Sequence, residues 1–176
     1  MKAGFYPRLA LDGIRKNKRL YLPYMLICIG TIMMYYIIMF LQHSQALEYM
    51  PGSGTIGATL NLGGWVIAVF ACIFLFYTNS FIIRRRKKEF GLYNMLGMGK
   101  RNIGRILIWE TLFVYIITVG LGLAAGIILS KLAELGLVNI MQADVTYNLS
   151  VSVQAIAMTA LIFGIIFALL FLNGLR

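Results

Sequence analysis

The sequence predicts an all-α membrane protein. It has four transmembrane helices with both termini cytoplasmic, an amphipathic amino-terminal interfacial helix, and a short cytoplasmic helix between the second and third spans. Three observations carry this. Of 176 residues, 60% are hydrophobic and 12% charged, where a soluble domain has about 45–50% apolar and 25% charged residues. Mean hydropathy is +0.82. Four apolar runs each reach the ~20 helical residues needed to cross a ~30 Å hydrocarbon core. Finally, one orientation puts almost every Lys and Arg on the same side of the membrane. Disordered, collagen-like and disulfide-scaffold classes are excluded by the same composition.

The amino-terminal segment 1–20 contains Lys2, Arg8, Arg15, Lys16, Lys18 and Arg19. Over 4–19, Arg8, Asp12, Arg15 and Arg19 recur at helical spacing while Phe5, Leu9 and Ile14 lie off that stripe, and Pro7 suits a first turn. This is a helix along the membrane, either an anchor or a moving lever. The spans are 21–41, 62–83, 106–130 and 151–172. Each must be helical, because lipid offers the backbone no hydrogen-bond partners. The first starts too far in, and lacks a small-residue cleavage site, to be a signal peptide.

Between the spans, 42–61 is a short extracellular loop with Pro51-Gly52-Ser53-Gly54 and no Lys or Arg. Residues 84–105 hold Arg84, Arg85, Arg86, Lys87, Lys88, Lys100, Arg101 and Arg105, whereas the extracellular connection 131–150 holds only Lys131. With the amino terminus inside, fifteen of the sixteen cationic residues are cytoplasmic, as the positive-inside rule requires. Arg84, Arg85, Arg86, Lys87 and Lys88 then contact anionic lipid headgroups, at about 1 kcal/mol each near the surface. That accounts for the +10 net charge without a nucleic-acid partner, since no aromatic–basic stacking pattern accompanies it.

A topological stop needs only the cluster Arg84 to Lys88. The segment beyond that cluster is richer: residues 89–97 make one short helix, with Leu92 and Leu96 an i,i+4 pair and Gly97 and Gly99 a stop before the chain returns. Phe90, Leu92, Tyr93 and Leu96 give that helix an apolar side to bury, against lipid or in a protein groove.

The stretch FIIRRRKKEFGLYNMLGMGKRNIGRILIWE (81–110) resembles the region after the second helix of FtsX-like permeases, the membrane subunits of a class of ABC transporters. LALDGIRKNKRLYLPYML (9–26) is similar to the start of their bacitracin-exporter-type members. The resemblance implies that the short helix docks on a cytoplasmic ATPase subunit. That role would fall on Glu89, Phe90, Gly91, Leu92, Tyr93, Leu96 and Gly97. It also implies a bacterial cytoplasmic-membrane location, no cofactor or metal, and a role in export of, or protection against, cell-wall-directed peptide antibiotics. The first loop is too short for the large extracellular domain of macrolide-exporter-type members. Bacitracin-type permeases have about ten spans, so the chain resembles their first four-helix module, truncated or separately encoded. Its partners would then include membrane lipids and the remainder of a larger permease or a second copy.

Within the spans, Thr118, Gly122, Gly126 and Ser130 recur every fourth residue, as do Ala160, Gly164 and Ala168. Such small-residue ridges let helices approach closely in lipid; they are packing surfaces or a sliding seam. Glu110, near the start of the third span, has two readings. It is an intramembrane carboxylate of the proton-coupled kind, or an ion-pair partner of Arg105, Arg101 or the basic cluster. Cys28 and Cys72 are small apolar filler or a disulfide. With one histidine, no phosphate-binding loop and no paired carboxylates on one face, no catalytic constellation is visible and ATP hydrolysis would belong to another chain. Three functions remain in view: a transport-coupling permease module, a stand-alone proton-coupled exporter, and a membrane scaffold or regulator.

Overall fold

A computed structural model describes residues 5–44, 52–95, 100–141 and 152–175. Its five helices are α1 (Phe5–Lys16), α2 (Lys18–Gln42), α3 (Ser53–Met95), α4 (Lys100–Met141) and α5 (Val153–Leu175). Four of them contain stretches long and apolar enough to cross a membrane: Lys18–Gln42, Ser53–Arg86, Asn102–Gly136 and Val153–Gly174.

Helix lengths depart from expectation. α3 and α4 have 43 and 42 residues, which at 1.5 Å per residue is roughly twice the ~30 Å hydrocarbon thickness. Residues 53–61, expected in a loop, are the first turns of α3, and 131–141 prolong α4. Gly52, at φ +83, occupies the left-handed region just before α3 begins, a conformation glycine adopts without steric cost. At the other end residues 89–95 do not form a helix of their own. Residues 84–95 continue α3, because Arg, Lys and Glu are good helix formers and Arg86 pairs with Glu89 one turn on. Leu96 and Gly97 lie outside the described residues.

α1 and α2 are separated by one residue, Asn17, whose φ −101 and ψ 31 interrupt the helix. Its N–H still donates to the Gly13 carbonyl and its own carbonyl accepts from Tyr21, so the joint is tight. α2 is the central element. It packs most extensively on α4 and also on α3 and α5, whereas α3 and α4 barely touch. The main core joins Tyr24, Cys28, Ile32 and Tyr35 of α2 to Leu75 of α3, Val114 of α4 and Phe163 and Phe167 of α5. A smaller cluster seats α1 on α4 through Ala10 and Ile106, flanked by Leu9 and Phe113. Cys28 and Cys72 are both free thiols, Cys28 in the core.

α3 is peripheral and presents Trp65, Phe70, Phe74 and Tyr77 outward, each more than half exposed. In water so continuous an apolar surface would be a large unsatisfied patch. In lipid it costs nothing, which is why a bundle this thin can be stable there.

Candidate functional site

At the basic end of the bundle, five side chains from the α1–α2 joint, α2, α3 and α4 form one polar network. Arg86 of α3 is its centre. The Nη1 atom donates to both oxygens of Glu110 on α4, at 2.6 Å each, and to the Tyr21 hydroxyl of α2 at 2.7 Å. Nε donates to Glu89 at 3.0 Å. Glu89 in turn accepts from the side-chain amide of Asn17 at 2.9 Å. Asn17 sits where a helix N-cap would bind its own first turn, yet its side chain makes no cap bond and reaches α3 instead.

Burial makes this network consequential. Arg86 and Glu110 are 3% and 2% exposed. A charge at that depth is costly unless it is paired, and removing one partner leaves the other uncompensated. α1 closes the site from outside through Gly13, where an added Cβ would stand 3.2 Å from Glu110 Oε1 and 3.3 Å from Arg86 Nη2. Glycine in a helix interior is unfavourable by about 1 kcal/mol against alanine; here it permits the approach of α1. Burial pushes the Glu89 carboxyl upward, but the Asn17 amide, the Arg86 guanidinium and Lys16 together outweigh it and hold it below the usual carboxylate range.

The cavity beside Glu110 and Arg86 measures about 20 Å³. That holds about one water and is far below the roughly 300–1,000 Å³ of a small-molecule site. Glu110 is therefore paired with Arg86, a member of the basic cluster, and the cavity against the pair is too small for a drug-sized ligand.

The expected site residues separate in space. Arg84 and Arg85 are exposed, with Arg85 over the Phe81 ring at 4.7 Å. Arg86 departs from the lipid-contact role: one helical turn of five consecutive cations cannot face outward throughout, and this one turns into the bundle. On the last turns of α3, Gly91 is exposed with open space beside it. The side chains of Lys87, Lys88, Phe90, Leu92 and Tyr93 lie outside the described ones. On the α4 ridge, a Cβ at Gly122 would meet Ile32 at 2.8 Å and one at Gly126 would meet Tyr36 at 2.9 Å. Thr118 and Ser130 are buried and satisfy their hydroxyls on the Val114 and Ile127 carbonyls. On α5, Gly164 lies under the Tyr115 hydroxyl, which donates to the Ala160 carbonyl at 2.9 Å. Ala168 is exposed and does not extend that packing, because the ridge rotates away from α4 over two turns.

Sequence reasoning missed Asn17, Tyr21 and Gly13. Gly13 alone carried a signal, as a lone glycine inside an otherwise good helix. It also missed the cluster at the opposite end, where Ser44 donates to Glu134 at 2.6 Å and Lys131 pairs with the same carboxylate at 3.3 Å.

Comparison with known proteins agrees with this architecture. Residues 61–176 match the FtsX-like permease C-terminal family. The chain is 31% identical over 167 residues to the bacitracin export permease protein BceB of Bacillus subtilis, covering 94% of this chain and 26% of that protein. It is 30% identical over 164 residues to the BceB of Halalkalibacterium halodurans, covering 93% and 25%. The uncharacterized ABC transporter permease YvcS of B. subtilis is 27% identical over 95% of this chain and 26% of its own length. The chain thus spans about a quarter of the length of the curated relatives it matches. A membrane-type helical bundle and a family match over most of its length place the chain among the FtsX-like ABC transporter permeases, a family of non-catalytic membrane subunits.

Proposed function

We propose that this chain is the part of a bacterial cell-membrane permease that receives the motion of a separate cytoplasmic ATPase and passes it into the helix bundle. The whole protein would act in export of, or resistance to, bacitracin-like peptide antibiotics. The basic end of the bundle is the cytoplasmic one in this reading, with fifteen of the sixteen Lys and Arg residues on that side. The ATPase docks on Glu89, Phe90, Gly91, Leu92, Tyr93, Leu96 and Gly97.

The observation that supports this is the Arg86 network. α3 and α4 barely touch along their lengths, yet they are clamped by Arg86 and Glu110 shortly before the 96–99 connection. Glu89 lies inside the docking segment and binds Asn17, the joint between α1 and α2. A displacement of the α3 terminus is therefore delivered to α4 through one ion pair and to the α1–α2 joint through one amide. A chain of ion pairs and hydrogen bonds of this sort is one physical route by which coupling can be carried.

The test is retention of the cognate ATPase by detergent-solubilised variants. Phe90→Ala or Tyr93→Ala weakens the complex by ~2 kcal/mol, the scale of a buried anchor, or roughly 30-fold in affinity, with membrane insertion intact. Lys87→Ala acts mildly and in a salt-dependent way. Full retention by both aromatic variants would refute the docking assignment. Loss of bacitracin resistance on disrupting the gene, restored by the intact gene, tests the substrate class separately.

A further inference from the structure

α1 leaves α2 at Asn17 and rests on α4, so the opposite side of α2 is left uncovered. The result is an open groove of about 780 Å³ between α1 and the first turns of α2. Its wall along the span is Leu22, Leu26 and Ile29, and its rim is Arg8, Arg15 and Lys18. Leu22 and Leu26 are 59% and 60% exposed. Among the described residues the three rim cations form no ion pair. Asp12 is the single acid at the rim, leaving it net positive.

We propose that this groove is a binding site for one anionic phospholipid, with the phosphate held by Arg8, Arg15 and Lys18 and an acyl chain along Leu22, Leu26 and Ile29. The distribution of chemistry selects the occupant. Positive charge is confined to one end, at the level where headgroups lie, and the remainder is aliphatic and faces hydrocarbon. An amphiphile with one anionic end and a long apolar tail matches both parts. A transmembrane helix of another protein would leave the cations without partners unless it carried acids at that level. This site is distinct from the cationic turn at Arg84 and Arg85, where Arg84 borders a separate and smaller cavity of about 120 Å³ with Tyr77, Ser80 and Phe81. It places a lipid against α1, the helix that closes the Arg86–Glu110 site through Gly13.

Brominated phospholipids quench tryptophan on contact, so a tryptophan in the groove reports its occupant. Trp65→Phe and Trp109→Phe remove the native signal, and Leu26→Trp supplies the reporter in the full chain. In vesicles containing brominated phosphatidylglycerol or brominated phosphatidylcholine, the anionic lipid should occupy the groove with roughly fivefold or greater preference, the scale of one or two basic contacts. The preference should disappear in Arg8→Gln/Arg15→Gln/Lys18→Gln and persist in Arg84→Gln/Arg85→Gln. Val69→Trp, on the outward face of α3 at 52% exposure, should show no preference and should respond identically in all variants, which verifies folding. Equal quenching by the two lipids at position 26, or a preference that survives the triple substitution, would overturn the proposal. So would absence of quenching by either lipid, which would mean that protein, from a second copy or a longer chain, fills the groove.

Discussion

Arg86 shows how much depends on where one charge points. Arg86→Met leaves Glu110 buried without its cation and should destabilise the bundle by about 3–5 kcal/mol, whereas Arg86→Met/Glu110→Met should recover most of that loss. Thermal unfolding in mild detergent measures both, and a double variant no better than the single would remove the ion pair as the cause. Glu89 makes a different prediction. Its carboxyl is held below the usual range, so the folded state favours the ionised form. The stability this supplies is complete above the ordinary carboxylate pKa and fades as pH falls through the lowered folded value. The difference in stability between the parent and Glu89→Gln should therefore be largest at neutral pH and shrink toward zero on acidification. A difference that grows in acid would reverse the sign and the assignment.

At the scale of helices, contact between α2 and α4 rests on absent side chains. Gly122 and Gly126 lie beneath Ile32 and Tyr36 at distances that leave no room for a Cβ. Gly122→Leu or Gly126→Leu must separate the helices or displace those side chains, at a cost of about 1–3 kcal/mol. Ile117→Leu and Ala168→Leu, both on exposed positions, should leave melting unchanged. Equal behaviour of the four variants in a thermal-shift assay would discard the ridge as a packing surface. The four-residue spacing on α4 was legible because small residues recur on one helical face regardless of partner. The limit of the α5 ridge was not, because whether Ala168 meets a neighbour depends on the angle at which α5 crosses α4. Helix ends were equally illegible: hydropathy marks the lipid-embedded part of α3, while its polar extension over 84–95 depends on propensity and on the Arg86–Glu89 pair.

For the molecule as a whole, the distribution of cations predicts that both termini and residues 84–105 face the cytoplasm. In a background lacking Cys28 and Cys72, an impermeant thiol reagent applied to intact cells should label a cysteine at position 53 and spare one at position 87. The reverse pattern would invert the topology and move the basic end, with its proposed ATPase and lipid contacts, to the other side of the membrane.

The number of spans, their approximate positions and the basic end were determined by the sequence alone, because hydrophobic length and charge asymmetry are properties of the chain and the bilayer. They require no knowledge of which helix lies beside which. The proposed docking segment rests on resemblance alone, since its residue types suit lipid or protein equally. The joint itself was decided by tertiary structure. Asn17, Tyr21, Arg86, Glu89 and Glu110 come from separate stretches of sequence, and nothing local distinguishes Arg86 from its four cationic neighbours. Only the packing of α1, α2, α3 and α4 excludes water from that one guanidinium, and exclusion of water is what turns a surface cation into the centre of a buried network.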